Sequence, residues 1–147
     1  MPLAANIFVG RTRECDLFHR MVQDPRRRRW VLNIYGEGGI GKTRLIAQLY
    51  NLCAEIGLAD RRTGIVDFYD LDNRRKVGLI KSISDSLGFD LPSISAYNQA
   101  SEAETASELL RAEEAVVREF RDKLSELYQD GHPIVFFFDT FDGNIQQ

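Results

Sequence analysis

Residues 36–43 bring together glycines, a lysine and a threonine at a spacing that suits phosphate chemistry. They read G-E-G-G-I-G-K-T, which fits the P-loop pattern G-x-x-x-x-G-K-[ST]. Glycines let the backbone curl around a polyphosphate with its N–H groups pointing inward, because no Cβ blocks the approach. We expect Lys42 to reach the β- and γ-phosphates as a point charge and Thr43 to place its hydroxyl on Mg²⁺.

The sequence on both sides of this loop predicts a strand-to-helix turn. Residues 30–35 are a short run rich in aromatic and aliphatic side chains, which is typical of a buried strand. After the loop, apolar residues recur at helical spacing and give one apolar face, formed by Leu45, Ile46, Leu49, Tyr50, Cys53 and Ile56. The opening of this helix adds unpaired N–H groups and the positive end of its dipole to the loop. The alternative is a chance match in a glycine-rich turn, and the flanking patterns argue against it.

A second group of candidate residues follows a strand near the end of the sequence. Residues 134–138 are all apolar, which predicts a strand buried on both faces, as in a parallel sheet. Asp139 ends this strand and is predicted to hold Mg²⁺ on the side opposite Thr43, mostly through a water molecule bound to the ion. The alternative for Asp139 is a turn-forming or helix-capping role. Asp142 is predicted to orient the water that attacks the γ-phosphate, with a solvated loop carboxylate as the alternative.

Two further elements are predicted in the first half of the chain. Apolar residues on one side predict a helix over Thr12–Val22, which Asp24 and Pro25 end. Residues 65–71 show enough alternation to predict a second strand. The basic run at residues 26–29 is interpreted as a solvated connector rather than a patch for nucleic acid or an acidic partner.

The segment between the second strand and the last one is predicted to be helical with one interruption. Asn73 is expected to cap a helix that Gly88 ends. Residues 89–100 contain Pro92 and several serines and are predicted to form a surface loop, and residues 101–129 again follow a helical pattern. Strands that alternate with helices in this order predict an α/β fold, with a parallel sheet sandwiched by helices in one P-loop domain.

Composition limits the class of protein. The 147 residues suffice for one domain with a core, and 44% hydrophobic with 28% charged residues is ordinary for a globular protein. A net charge of -3 provides no bulk attraction to nucleic acid. Cys15 and Cys53 lack metal-ligand spacing and are interpreted as reduced thiols on helices. No apolar run approaches the ~20 residues of a membrane span, and residues 1–8 do not resemble a secretory signal, so we expect a cytoplasmic protein.

The base of the nucleotide is predicted from two absent motifs. P-loop proteins that are specific for GTP resemble one another in carrying N-K-x-D, and this sequence has none. Residues 139–143 read D-T-F-D-G and therefore do not form D-x-x-G either. These features favour adenine, so the expected ligands are ATP or ADP with Mg²⁺.

Three motifs together resemble those of STAND ATPases, the signal-transduction relatives of AAA+ proteins that include the NB-ARC and NACHT groups. Residues 8–14 look like the hhGRxxE box that precedes the P-loop in that family, and residues 36–43 are similar to its G-x-G-G-[IV]-G-K-[ST] form. Residues 138–142 resemble its Walker B element, in which a second acid follows three residues after the first. Many relatives have Glu at that second position, and Asp142 departs from them.

The resemblance implies roles for individual residues. The segment that matches Val9, Gly10 and Arg11 folds against the adenine in that family, with backbone at Val9 reading the base edge. The phosphate cradle would include Gly39, Gly41, Lys42, Thr43 and Arg44. The complete set of expected nucleotide-binding residues is therefore Val9, Gly10, Arg11, Gly36, Gly38, Gly39, Ile40, Gly41, Lys42, Thr43 and Arg44. Thr43 and Asp139 are the expected metal ligands, and Asp142 and Lys42 the expected catalytic residues.

The resemblance also implies the wider context. Proteins of this family are switches, in which ADP holds a closed monomer and ATP allows assembly and activates an effector. Their sheet order resembles 5-1-4-3-2, so a strand that carries a sensor of the γ-phosphate lies between the P-loop strand and the Walker B strand. That strand is not reached by residue 147, and we expect this sequence to be the N-terminal portion of a nucleotide-binding domain whose sensor and effector regions follow. We expect such a portion to hydrolyse ATP weakly or not at all.

Two other functions fit parts of the sequence. One is an interaction module that keeps nucleotide as a structural ligand without hydrolysing it. The other is an ATPase of the AAA+ initiator type that associates with DNA, since those proteins carry a similar G-R-x-x-E box. The basic run at residues 26–29 is the local hint of DNA binding, and the net charge argues against it.

Overall fold

The structure, a computed structural model, describes residues 10–26, 29–37, 39–102 and 105–139. The chain divides into two compact units at the boundary between Ala59 and Asp60. The first unit contains two helices, α1 at Thr12–Val22 and α2 at Lys42–Glu55. The second contains β1 at Arg62–Asp67, α3 at Lys76–Leu87, α4 at Ser93–Glu102, α5 at Ala106–Tyr128 and β2 at Val135–Asp139. Short 3₁₀ turns lie at Ala59–Arg61 and Asp72–Arg74.

The two helices of the first unit have the predicted positions. α1 has the predicted bounds, and Phe18 is its buried residue. α2 buries one stripe along its length, formed by Leu45, Ile46, Leu49 and Cys53. A large apolar side chain contributes about 1.5–3 kcal/mol when it is removed from water, so this stripe is the main stabilising feature of α2. The helix begins directly at the glycine loop, as the pattern predicts.

The strand predicted for residues 30–35 is wrong for the described chain, where residues 29–36 adopt no regular secondary structure. Val31 and Tyr35 are 81% and 85% exposed. A strand exists only through hydrogen bonds to a neighbouring strand, and the two strands described here pair with each other.

The sheet in the second unit is parallel, as predicted, and places two aspartates side by side. β1 pairs with β2 in a register that joins Ile65 to Phe137 and Asp67 to Asp139. The register shifts between Arg62 and Ile65, and there the N–H of Phe137 donates to Oγ1 of the fully buried Thr63 at 2.9 Å.

The second strand begins and ends three residues or more before its predicted bounds, because a turn follows Asp67. Its Oδ1 accepts the N–H of Tyr69 at 2.8 Å and thereby starts the turn. Asn73 was predicted to cap α3, but the N-cap residue is Arg75. Its Nδ2 donates to the carbonyl of Asp67 and its Oδ1 accepts the hydroxyl of Ser82, so it braces the turn against α3. Gly88 ends α3 with φ of 73°, which confirms its predicted role.

The surface loop predicted for residues 89–100 is wrong, because α4 occupies most of it. Pro92 directly precedes the helix, where proline is tolerated because first-turn N–H groups have no helical partner. Glu119 of α5 accepts the N–H of Ser93 at 3.0 Å and thus caps α4 from the neighbouring helix. The core of this unit consists of Val77, Ile80, Leu91 and Val116, with Phe89, Ile94, Tyr97 and Phe120 packed against it.

The last strand is not buried on both faces within its unit, which contradicts the prediction from its apolar run. Phe137 is buried, whereas Phe136 and Phe138 are 39% and 41% exposed. Alternate side chains of a strand point to opposite faces, and the helices of this unit cover one of them. The rings of Phe136 and Phe138 stack with their centroids 6.5 Å apart, and Phe68 of the neighbouring segment lies against Phe138.

Two predictions about the whole chain concern cysteines and membranes. Cys15 and Cys53 are both free thiols, and burial raises the pKa of Cys15. Among the described helices, none combines the length and the apolar character that crossing a bilayer requires.

Candidate functional site

The glycine loop before α2 adopts backbone angles that suit glycine. Gly39 and Gly41 have φ of 83° and 90°, in the left-handed region that other residues rarely adopt. A Cβ built on Gly36 would collide with Cδ1 of Ile40, so the absent side chain at the start of the loop makes room for Ile40 near its end. Gly38 lies outside the described residues, and its predicted role stays a prediction.

Lys42 holds the start of the loop. Its Nζ donates to the carbonyl oxygens of Gly36 at 2.6 Å and Glu37 at 2.8 Å. An ammonium group carries three N–H donors, so the bonds to described residues leave one donor that could meet a ligand. The charge is therefore held within the loop at the first residue of α2. This placement suits a group that contacts an anion as a point charge.

The N-terminus of α2 offers further donors for an anion. Gly41 is the N-cap residue, and among the described residues no side chain caps its first turn. First-turn N–H groups have no partner within a helix, and the dipole of the helix favours negative charge there. The side chains of Thr43 and Arg44 are exposed at this end. The glycine turn, the Lys42 ammonium and the uncapped helix together fit a polyphosphate.

Arg11 connects the segment before α1 to the glycine loop. Its Nη2 donates to the carbonyl oxygen of Ile40 at 3.0 Å, and its Nη1 donates to Oε1 of Glu14 at 2.9 Å. The hydrogen bond from Arg11 lowers the pKa of Glu14 below its usual value, which keeps the pair charged. Gly10 precedes it with φ of 95°, again in the left-handed region. Val9 lies outside the described residues, and the predicted contact of its backbone with adenine stays a prediction.

Asp139 ends β2 at the carboxyl edge of the sheet, where parallel α/β folds bind ligands. Its carbonyl oxygen accepts the N–H of Phe68 at 3.2 Å, which ties the two strands together at this edge. The role predicted for Asp139 as a magnesium ligand opposite Thr43 stays a prediction, because the two residues belong to separate units. Asp142 lies outside the described residues, and its predicted catalytic role stays a prediction as well.

The chemistry of the predicted metal site calls for few protein ligands. Within the described ranges, no group of three or more His, Cys, Asp or Glu side chains is arranged to hold a metal ion. Mg²⁺ beside a nucleotide is typically held by one or two protein oxygens, phosphate oxygens and water. Thr43 and Asp139 each carry side-chain oxygen atoms of that kind, and their shared role as metal ligands stays a prediction.

Sequence reasoning missed two features of these elements. It assigned no function to Glu14, although its position three residues after Arg11 places both side chains on one side of the first turn of α1. It also missed Asp67, which pairs with Asp139 in the sheet. The signal for Asp67 was present, since both strands end in an aspartate and parallel strands bring their carboxyl ends to one edge.

Comparison with known proteins identifies one relationship. A family model described as an AAA ATPase domain matches residues 7–146. The matched range includes the glycine loop, both strands and Asp142. No curated protein and no solved structure matches the chain.

Proposed function

Since the chain belongs to the family of AAA ATPase domains, whose P-loops bind nucleotide, we propose that it is the ATP- and ADP-binding module of a STAND-type signalling switch. In this proposal the module forms the first part of a nucleotide-binding domain in which helices cover both faces of a parallel sheet. Sensor and effector regions of the same cytoplasmic protein are its partners, and ATP-dependent association with further copies transmits the signal. Membrane and nucleic acid are not among the proposed partners.

The proposed site divides the nucleotide among three groups of residues. The adenine lies against Val9, Gly10 and Arg11. The polyphosphate lies in the loop and on the first turn of α2, held by Gly36, Gly38, Gly39, Ile40, Gly41, Lys42, Thr43 and Arg44. The geometry of the loop supports this division, because the loop and the uncapped helix end provide amide donors and Lys42 adds a positive charge.

The proposed metal is Mg²⁺, with Thr43 and Asp139 as the protein groups that hold it. When bound, it neutralises charge that develops on the transferred phosphoryl group. Lys42 holds the phosphates in position, and Asp142 orients the attacking water. Asp142 is shorter than Glu by one methylene group, which supports slow hydrolysis and hence a switch that remains in its ATP state for long periods.

The observation that carries the proposal is the position of Lys42, whose Nζ bridges two loop carbonyls and, within the part of the chain that the structure describes, retains a donor for phosphate. Isothermal titration of Mg-ATP into the wild-type chain and Lys42→Ala tests it. We expect the affinity to fall about ten- to a hundredfold, as the loss of a charged hydrogen bond predicts. Lys81→Ala is the matched control, because it removes the same charge from an exposed pair with Asp85. Equal affinity of wild type and Lys42→Ala would refute the proposal.

A nucleotide-binding module that does not hydrolyse ATP is the second candidate, and the aspartate at position 142 favours it. The two functions differ in the effect of Asp142→Asn on turnover in a longer chain that includes the residues after 147. A rate that falls at least tenfold supports the ATPase. Turnover no faster than background in both the wild type and Asp142→Asn supports the non-hydrolysing module, whereas a measurable rate that Asp142→Asn leaves unchanged indicates a different base.

A further inference from the structure

The hydrogen bond between Arg11 and the carbonyl of Ile40 controls a peptide group of the glycine loop. A trans peptide is planar, so its carbonyl and the following N–H point in opposite directions. Because Nη2 of Arg11 holds the carbonyl of Ile40 at 3.0 Å, the N–H of Gly41 points away from the guanidinium. The orientation of one amide at the N-cap of α2 is thus set by a side chain 29 residues earlier.

The peptide between Ile40 and Gly41 needs a contact that fixes its orientation. Gly41 has φ of 90°, and glycine populates positive and negative φ about equally well. The peptide between Ile40 and Gly41 can therefore reverse at little steric cost, and reversal would exchange an N–H donor for a carbonyl oxygen at the phosphate cradle. The other side of Gly41 is already fixed, because its carbonyl accepts the N–H of Leu45 at 2.9 Å within α2.

Glu14 holds the guanidinium in the position that this contact requires. Arg11 has a long side chain with several rotatable bonds, and its Nη1 donates to Oε1 of Glu14 at 2.9 Å. Both side chains are about a third exposed, at 33% and 35%. Ion pairs of this exposure contribute little to stability, so we expect the pair to matter for orientation rather than for folding.

We propose that Arg11 is a positioning residue that locks the peptide between Ile40 and Gly41, with Glu14 as its anchor, so that the N–H of Gly41 faces a bound polyphosphate. The proposal rests on the proposed function and deepens it, because it assigns the side chain of Arg11 to the loop rather than to the nucleotide itself. The hydrogen bond from Arg11 thereby joins the segment on the proposed adenine side to the loop on the proposed phosphate side.

The test uses the 147-residue chain and inorganic pyrophosphate with Mg²⁺ as the probe. We expect Arg11→Met to weaken pyrophosphate binding about tenfold, or 1.4 kcal/mol, and Glu14→Ala to weaken it about threefold. Arg13→Met is the matched control, since it removes the same charge from α1 and leaves the bond to Ile40 intact. Urea unfolding of each variant establishes that the folded chain is being compared.

A second measurement separates positioning from direct contact with phosphate. Nuclear magnetic resonance of the ligand-free chain reports the Gly41 amide, and Arg11→Met is expected to shift or broaden this signal while Arg13→Met leaves it in place. An unchanged Gly41 signal, or unchanged pyrophosphate affinity in Arg11→Met, overturns the positioning role of Arg11 even where the wild type binds Mg-ATP. If the wild type binds neither Mg-ATP nor pyrophosphate, the proposed function is wrong, and the positioning role of Arg11, which rests on it, is wrong as well.

Discussion

Replacement of Thr63 by valine tests how β2, the strand that ends in Asp139, is held in register. Between the pairs Arg62–Val135 and Ile65–Phe137, β1 contains one more residue than β2. The extra residue makes the ladder irregular, and at this point the N–H of Phe137 donates to the hydroxyl of Thr63. Thr63→Val keeps the shape of the side chain and removes this acceptor.

The expected cost follows from the burial of both partners. Thr63 has no exposed surface, and the bond to Phe137 lies in the interior. Removal of the acceptor from a buried hydrogen bond costs about 1–3 kcal/mol, so we expect Thr63→Val to lower the free energy of unfolding by that amount. Thr63→Ser retains the hydroxyl and loses one methyl group, for which we expect about 1 kcal/mol.

Urea unfolding measures both variants, and amide hydrogen exchange locates the effect. The exchange of the Phe137 amide should accelerate in Thr63→Val and remain close to wild type in Thr63→Ser. Considerations of strand propensity and apolar burial alone predict the opposite order, because valine is the better strand residue. A valine variant as stable as wild type, or one more stable than the serine variant, would refute the argument.

Three further predictions concern the core, the acid range and the loop. Val116→Ala should lower the free energy of unfolding by about 2 kcal/mol, because Val116 is fully buried in the core of the second unit, and urea unfolding measures the change. The N–H of His132 and, to a smaller extent, the charge of Arg61 hold the pKa of Asp130 below its usual range. That contribution to stability is present above the unfolded pKa of about 3.9 and lost as the pH falls through the lower folded value, so the urea midpoint of Asp130→Asn should depend less on pH below about pH 4. Gly41→Ala should lower stability by about 1–2 kcal/mol, because alanine is strained at φ of 90°, and calorimetric titration should show weaker Mg-ATP binding as well.

Local patterns in the sequence predicted those parts of the structure that local forces determine. The helix at Thr12–Val22 follows from periodic apolar residues between breaking residues, and α2 follows from the stripe of residues after the glycine loop. Gly88 ends α3 because glycine adopts left-handed angles without strain. For the candidate site, the pattern at residues 36–43 predicted that a helix opens near Gly41, and α2 begins at Lys42.

The errors concern features that depend on distant residues. Residues 30–35 have the composition of a strand, and composition does not supply the neighbouring strand that hydrogen bonding requires. The apolar run at residues 134–138 indicated burial, whereas the number of covered faces depends on which helices pack against β2. α4 has few buried apolar residues of its own, and its start is capped by Glu119 from another helix, so the residues of α4 alone did not reveal it.

The glycine loop shows the same division within one site. The pattern specifies which residue types occur, and the structure adds which carbonyl each cation holds: Lys42 holds those of Gly36 and Glu37, and Arg11 holds that of Ile40. Glycine-rich segments lose much conformational entropy when they become ordered. Because these contacts restrain the described part of the loop, a polyphosphate that binds in the proposed site would have less ordering to impose, and more of the contact energy would appear as affinity. In that proposal the arginine of the segment before α1 contributes to the phosphate half of the site together with the lysine.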